Sequence, residues 1–229
     1  TAAELAPLLD RAFGSLPKSK VLPTIAEAAP RLTGDTYVVE LDVPQSSIIF
    51  GQPGLRRDDA DWYTGLVMNY ILGGGGFSSR LFSEVREKRG LAYSVGTGLH
   101  PMRLSALISG GAGTKNANVA ESLKIIRTEW DRMRTGGVTP DELSRAKSYL
   151  TGSFPLRLSS TDRIARMLVS IQYHNLGIDY IDKRANYINV VSAENIAKLA
   201  RRLLDLGKLT FVVVGRPAAV IPTAPAPQI

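Results

Sequence analysis

Gly73-Gly74-Gly75-Gly76-Phe77-Ser78-Ser79-Arg80-Leu81-Phe82-Ser83-Glu84-Val85-Arg86-Glu87-Lys88-Arg89-Gly90-Leu91-Ala92-Tyr93-Ser94-Val95 is the stretch from which the rest of the chain is read. Upstream of it, residues 58–72 have helical spacing, with Trp62, Leu66, Asn69 and Tyr70 near one face. The four consecutive glycines predict the end of that helix, because each one costs backbone entropy when held helical. Phe77, Leu81 and Val85 recur at i, i+4 and i+8, so a second helix is expected over 77–88. Gly90 is placed to stop it. Leu91, Tyr93 and Val95 then alternate as a strand, and 104–109 reads as its antiparallel neighbour.

Before this stretch, residues 3–16 have helical spacing at Leu5, Leu8, Leu9, Ala12 and Phe13. This helix is expected to belong to the end of a preceding domain, with 17–33 as a linker carrying Pro17, Pro23 and Pro30. Residues 36–43 read as a strand, with Tyr37, Val39 and Leu41 on one face and Val38, Glu40 and Asp42 on the other. Pro44 interrupts it, and 46–51 resumes as a short apolar run.

The second half is mainly helical. Val119, Leu123, Ile126, Trp130 and Met133 form one apolar stripe. Thr139-Pro140-Asp141-Glu142 is a capping box that opens a helix carrying Leu143, Ala146 and Leu150. Helices follow over 162–175, 180–191 and 193–204, and 209–214 closes the domain as an apolar strand. The tail over 217–229 holds four prolines and is expected to fray. Strands at both ends of a largely helical domain, 34–216, predict an α+β layered fold with a largely antiparallel sheet packed by helices.

Composition narrows the chemistry. Hydrophobic residues make up 44% of the 229, enough for a sizeable core and against global disorder. No apolar run is long enough to span a membrane, and no signal-peptide pattern opens the sequence. Cysteine is absent, which removes disulfides, thiolate nucleophiles and cysteine zinc sites. A cysteine-free chain suits both the bacterial cytoplasm and the periplasm. The net charge is +7, but the basic residues are interspersed with acids, so no nucleic-acid partner is expected.

Several catalytic patterns are missing. The two histidines, His100 and His174, lie far apart and outside any H-x-x-E-H spacing, so no metal ligands are assigned. Gly110-Gly111-Ala112-Gly113-Thr114-Lys115 lacks the ending of a phosphate loop and reads as a glycine-rich turn. No G-x-S-x-G nucleophile elbow is present. Asp58-Asp59 reads as negative charge near a helix N-terminus. No catalytic residue is assigned to this chain.

What remains is the opening stretch. A glycine run leading into an amphipathic helix offers backbone amides that another chain can approach closely; it also suits a tight helix–helix corner. Arg86, near the end of the expected helix, and Tyr93, in the following strand, are seven residues apart across a turn. That spacing can bring both to one side of a cleft. A guanidinium there presents fixed donors to peptide carbonyls, and a phenol can donate where negative charge develops. The same spacing also allows Arg86 to pair with a nearby glutamate and Tyr93 to pack in the sheet.

The glycine run, Ser79-Arg80-Leu81, Arg86-Glu87 and Gly90-Leu91-Ala92-Tyr93-Ser94-Val95 resemble the C-terminal domain of pitrilysin/insulinase-type zinc metallopeptidases, which include mitochondrial processing peptidase-like proteins. Phe13-Gly14-Ser15-Leu16-Pro17 resembles the end of that family's preceding domain, and Phe211-Val212-Val213-Val214-Gly215 its closing strand. The resemblance implies two similar α+β domains facing each other across a peptide-sized chamber. It implies zinc in a separate N-terminal domain or partner subunit with an H-x-x-E-H motif, and no cofactor in this chain. It further implies that Arg86 and Tyr93, with Gly73, Gly74, Gly75 and Gly76, bind a peptide substrate. A non-enzymatic structural subunit of the same fold is the alternative.

Overall fold

The computed structural model of the chain describes residues 1–17 and 24–226, so part of the expected linker and the last three residues lie outside the described residues. The first element, α1 (Ala2–Phe13), opens with a capping box between Thr1 and Glu4. None of its residues is buried, and Leu5, Leu8, Leu9 and Phe13 face solvent.

The sheet comes next. β1 (Thr36–Glu40) stops earlier than its alternation predicts. Its only sheet neighbour among the described residues, the closing strand, ends at Gly215, opposite Glu40, and the ladder ends with it. β2 (Gln45–Pro53) is longer than its apolar run and alternates strictly, burying Ser46, Ile48, Phe50 and Gln52. Then α2 (Trp62–Asn69) begins four residues later than expected; Asp58 pairs with Arg56 at 3.1 Å, and Asp59 and Asp61 both reach Arg202. The helix does not break at the first glycine. It widens into a π-helical turn over Tyr70–Gly74.

The helix expected over 77–88 is also redrawn. Gly76–Ser78 is a 3-10 turn, and the α-helical turn α3 (Arg80–Phe82) runs into a second π-helical turn, Ser83–Glu87. Leu81 and Val85 are buried as their spacing predicts, but Phe77 lies before the helix and is 71% exposed. Gly90, at φ +61°, ends the segment.

β3 (Ala92–Pro101) and β4 (Ala106–Lys115) pair antiparallel. A register shift between Ala92 and Ser94 breaks the expected alternation and pushes Tyr93 out of the pleat, where it is 83% exposed. The stretch expected to be a glycine-rich turn after 109 is instead the second half of β4. Its glycines answer to packing. A Cβ on Gly110 would sit 2.5 Å from Cζ of Phe50 and 2.3 Å from the carbonyl oxygen of Gly96. The aromatic ring fills the space a side chain would need.

Five helices follow: α4 (Val119–Gly136), α5 (Pro140–Gly152), α6 (Thr161–Tyr173), α7 (Tyr180–Asn189) and α8 (Ala193–Leu203). The predicted α4 stripe is buried in full. β5 (Thr210–Gly215) then inserts between β1 and β2, giving the order β1-β5-β2-β4-β3, antiparallel except for the β1–β5 pair. The fold is α+β. Ile48, Phe50, Ile108, Phe211 and Val213 share one large core with residues of α2, α4 and α8. Phe50 stacks on Phe211 and meets Trp130 edge-on at 6.0 Å. The buried Gln52 carbonyl oxygen accepts from the Trp130 indole at 2.8 Å and the Asp205 backbone at 3.1 Å.

The proline tail does not fray over its first part. Thr223 exchanges hydrogen bonds with Thr36 at 2.9 Å in both directions, and Ala218 N–H donates to Asn116 O at 2.9 Å. Gly110→Ala is expected to destabilise the protein by about 1–3 kcal/mol through overpacking against Phe50. Urea unfolding measures it, and an unchanged midpoint would show that the strand shifts to make room.

Candidate functional site

The site is built on the two π-helical turns. The first closes with Gly75 N–H donating to Tyr70 O at 2.8 Å. Gly73 lies against β3 so closely that a Cβ would come 2.5 Å from Thr97 Oγ1. Gly73 is therefore buried packing, not exposed backbone, which corrects one part of the sequence expectation. Gly74 is exposed and lines a pocket, and Gly75 is half-buried. Gly76 is exposed with φ at +54°, a conformation that favours glycine. Two buried oxygens near the run, Asn69 Oδ1 and Thr97 Oγ1, have no hydrogen-bond partner among the described residues.

Ser79 reverses the chain into α3. Its buried hydroxyl donates to Gly76 O at 2.8 Å and accepts from Phe82 N–H. Arg80 then anchors the segment to the start of α5. Its Nε and Nη2 reach the two carboxylate oxygens of Glu142 at 2.6 and 2.8 Å, and Nη2 also donates to Gly137 O at 2.8 Å. Arg80 thus serves structure, and only 9% of it is exposed.

Arg86 follows on the second π-helical turn. Its guanidinium carbon lies 4.8 Å from the Phe82 ring centroid, 5.0 Å from that of Tyr93 and 5.5 Å from that of Phe77. Its side chain makes no ion pair or hydrogen bond among the described residues. The nearby Glu84 is occupied by Lys88 at 2.5 Å and Arg89 at 2.6 Å, which together hold its carboxyl below the ordinary range. Neither structural alternative left open by the spacing is realised: Arg86 is not paired with a glutamate, and Tyr93 is not packed in the sheet. The half-buried Arg86 and the exposed Tyr93 and Phe77 form one cluster. Phe77 is the member that helical spacing placed on the stripe of Leu81 and Val85; its position beside the glycine run was the signal available.

The same elements make no metal centre. Among the described residues no group of three or more His, Cys, Asp or Glu is arranged to hold a metal ion. His100 is exposed near the end of β3. Burial pushes the His174 imidazole down in pKa, and the charge of Arg57 adds to that. No helix among the described residues is long and apolar enough to cross a membrane.

The Arg80–Glu142 pair carries a pH dependence. Burial raises the Glu142 carboxyl, but the bonds from Arg80 and from Thr139 N–H outweigh it and hold the group at about 2, against an ordinary 4.5. The folded state favours the carboxylate. Its stabilisation is complete above about pH 4.5 and is lost as pH falls toward about 2. Glu142→Gln should therefore flatten the pH dependence of unfolding free energy across that interval. An unchanged slope in equilibrium denaturation would overturn the assignment.

Comparison with known proteins places the chain in a family. The family model described as the peptidase M16 inactive domain matches residues 1–150. An uncharacterized zinc protease of Streptomyces coelicolor is 41% identical over 140 residues, which cover 61% of this chain and 30% of that protein. A non-peptidase homolog of Helicobacter pylori is 29% identical over 178 residues, covering 77% of this chain and 41% of that protein. The crystal structure of a peptidase M16 inactive domain from Pseudomonas fluorescens superimposes with a TM-score of 0.81 at 28% identity, over 97% of this chain and 53% of that one. The chain spans less than half the length of these two curated relatives. It belongs to the peptidase M16 inactive-domain family, the non-catalytic half of zinc-protease-like proteins.

Proposed function

We propose that this chain is the substrate-holding half of a zinc metalloendopeptidase, and that it positions an extended peptide for hydrolysis by a zinc-bearing half. That half carries H-x-x-E-H, either elsewhere in the same polypeptide or in a partner subunit. The observation that carries the reading is the half-buried Arg86 held against the exposed Tyr93, with no ion pair or hydrogen bond on the Arg86 side chain among the described residues. The aromatic rings contact Arg86 without taking its N–H groups, which are free for the carbonyl oxygens of a bound peptide. The Tyr93 hydroxyl donates to the carbonyl oxygen on which charge develops. Gly74, Gly75 and Gly76 let the peptide backbone approach, while Gly73 fixes the turn against β3. The domain boundaries follow the same scheme: α1 completes the preceding domain, the segment over 17–33 links, and 34–216 forms the holding domain.

Zinc, when bound in the other half, supplies the activated water. This chain offers it no ligand set among the described residues. A chamber closed by two halves favours unfolded or short peptides.

A second reading is a structural subunit without peptidase activity. The Helicobacter pylori relative, described as a non-peptidase homolog, favours it. An H-x-x-E-H motif in the companion half discriminates the two.

With the zinc-bearing half present, Tyr93→Phe should lower kcat about a hundredfold, the usual cost of losing one oxyanion donor. Arg86→Ala should lower kcat/KM by about ten- to a hundredfold. Steady-state kinetics on a short unfolded peptide measure both, and undiminished cleavage by both variants sinks the site assignment.

A further inference from the structure

The domain holds two arginines that are at least nine-tenths buried, and their surroundings differ. Arg80 is 9% exposed and has the Glu142 carboxylate. Arg184, on α7, is 5% exposed and pairs with no Asp or Glu among the described residues. One of its nitrogens donates to Leu150 O at 2.9 Å, and its guanidinium carbon lies 4.3 Å from the Phe154 ring centroid. A buried cation without a counter-charge is costly, and a second cation beside it adds repulsion. Burial indeed pushes Arg184 down in pKa, with the charge of Arg157 adding to the effect against an opposing contribution from Tyr180.

Arg184 faces an open pocket of about 370 Å³. Tyr70, Gly74, Tyr149, Arg157 and Arg163 also line it, and no carboxylate does. Tyr70 and Tyr149 stack at 5.1 Å along its wall. Arg157 makes no ion pair among the described residues, and Arg163 donates only to the uncharged Leu156 O and Ser159 Oγ. Three arginines therefore line one cavity, and no Asp or Glu lines it with them. The pocket also adjoins the glycine run at Gly74, three residues before Phe77 and the Arg86 cluster.

We propose that this pocket is an anion subsite that takes a carboxylate of the bound peptide, from an Asp or Glu side chain or from the peptide's C-terminus. The inference rests on the peptide-holding reading and deepens it by giving the substrate a charge. A peptide lying along Gly74 to Gly76 places its backbone toward Arg86 and one carboxylate toward Arg157, Arg163 and Arg184.

The test measures binding by fluorescence anisotropy, with the chain assembled with its zinc-bearing half and EDTA present to stop cleavage. The probes are three tetramethylrhodamine-labelled pentapeptides: Ala-Phe-Ala-Glu-Ala-amide, its Gln counterpart, and the Gln peptide with a free C-terminus. A carboxylate in the subsite should tighten binding about ten- to a hundredfold over the Gln amide, the range for a charge-assisted hydrogen bond. Which of the two acidic probes gains identifies the source. The doubly substituted Arg157→Gln, Arg163→Gln protein changes only exposed arginines and should bring the ratio near one; Arg157→Gln alone should lower it at least about threefold. Arg86→Ala should weaken all three probes alike and leave the ratio standing. Equal affinity for the three probes, with binding still sensitive to Arg86→Ala, overturns the subsite and leaves the peptide-holding reading intact. A ratio that survives in the double variant also overturns it. Failure of all three probes to bind overturns both readings.

Discussion

The bidentate pair between Arg80 and Glu142 is the constraint on which the site depends. Glu142 does two things at once: it completes the capping box of α5 through Thr139 and neutralises the buried Arg80. Arg80 in turn takes the carbonyl of Gly137, between α4 and α5. One ion pair thus ties the junction of two helices to a short irregular segment with little regular structure of its own. That segment carries Phe82 and Arg86. Breaking a fully buried pair costs about 3–5 kcal/mol, because the remaining charge is left without its partner, and the partial exposure of Glu142 places this pair below that range. The strength lies in the geometry, since the fork of Arg80 matches both carboxylate oxygens.

The parts legible in the sequence were those with a single physical cause. The stripe Val119, Leu123, Ile126, Trp130 and Met133 is a helix face against a sheet, and its period says so directly. The Thr139 box is a local hydrogen-bond pattern. The parts that misled were those where a tertiary neighbour overrides local preference. Gly110 looks like a turn residue until the Phe50 ring is placed beside it. Phe77 fits a helical stripe until the chain reverses at Ser79. Tyr93 alternates with Val95 until a bulge intervenes. The proline tail looks free until Thr223 meets Thr36.

The candidate site divides in the same way. The closeness of Arg86 and Tyr93 could be anticipated, because one turn separates them. The shared pocket of Arg157, Arg163 and Arg184 could not, because they come from a connecting turn and two different helices, with no spacing that relates them. The glycine run is likewise not one feature. Gly73 is packing, Gly74 is wall, and Gly76 is a backbone conformation.

The hold on Arg86 has a consequence for acidic surroundings. A carboxylate partner would have fixed the guanidinium equally well, but that partner takes up a proton in acid. The faces of Phe77 and Phe82 attract the cation through their ring quadrupoles and have no proton to gain. The guanidinium therefore keeps its orientation at a pH where the anchor beneath it is already weakening. Acidification reaches this segment through the Arg80–Glu142 pair and leaves the aromatic contacts of Arg86 for last.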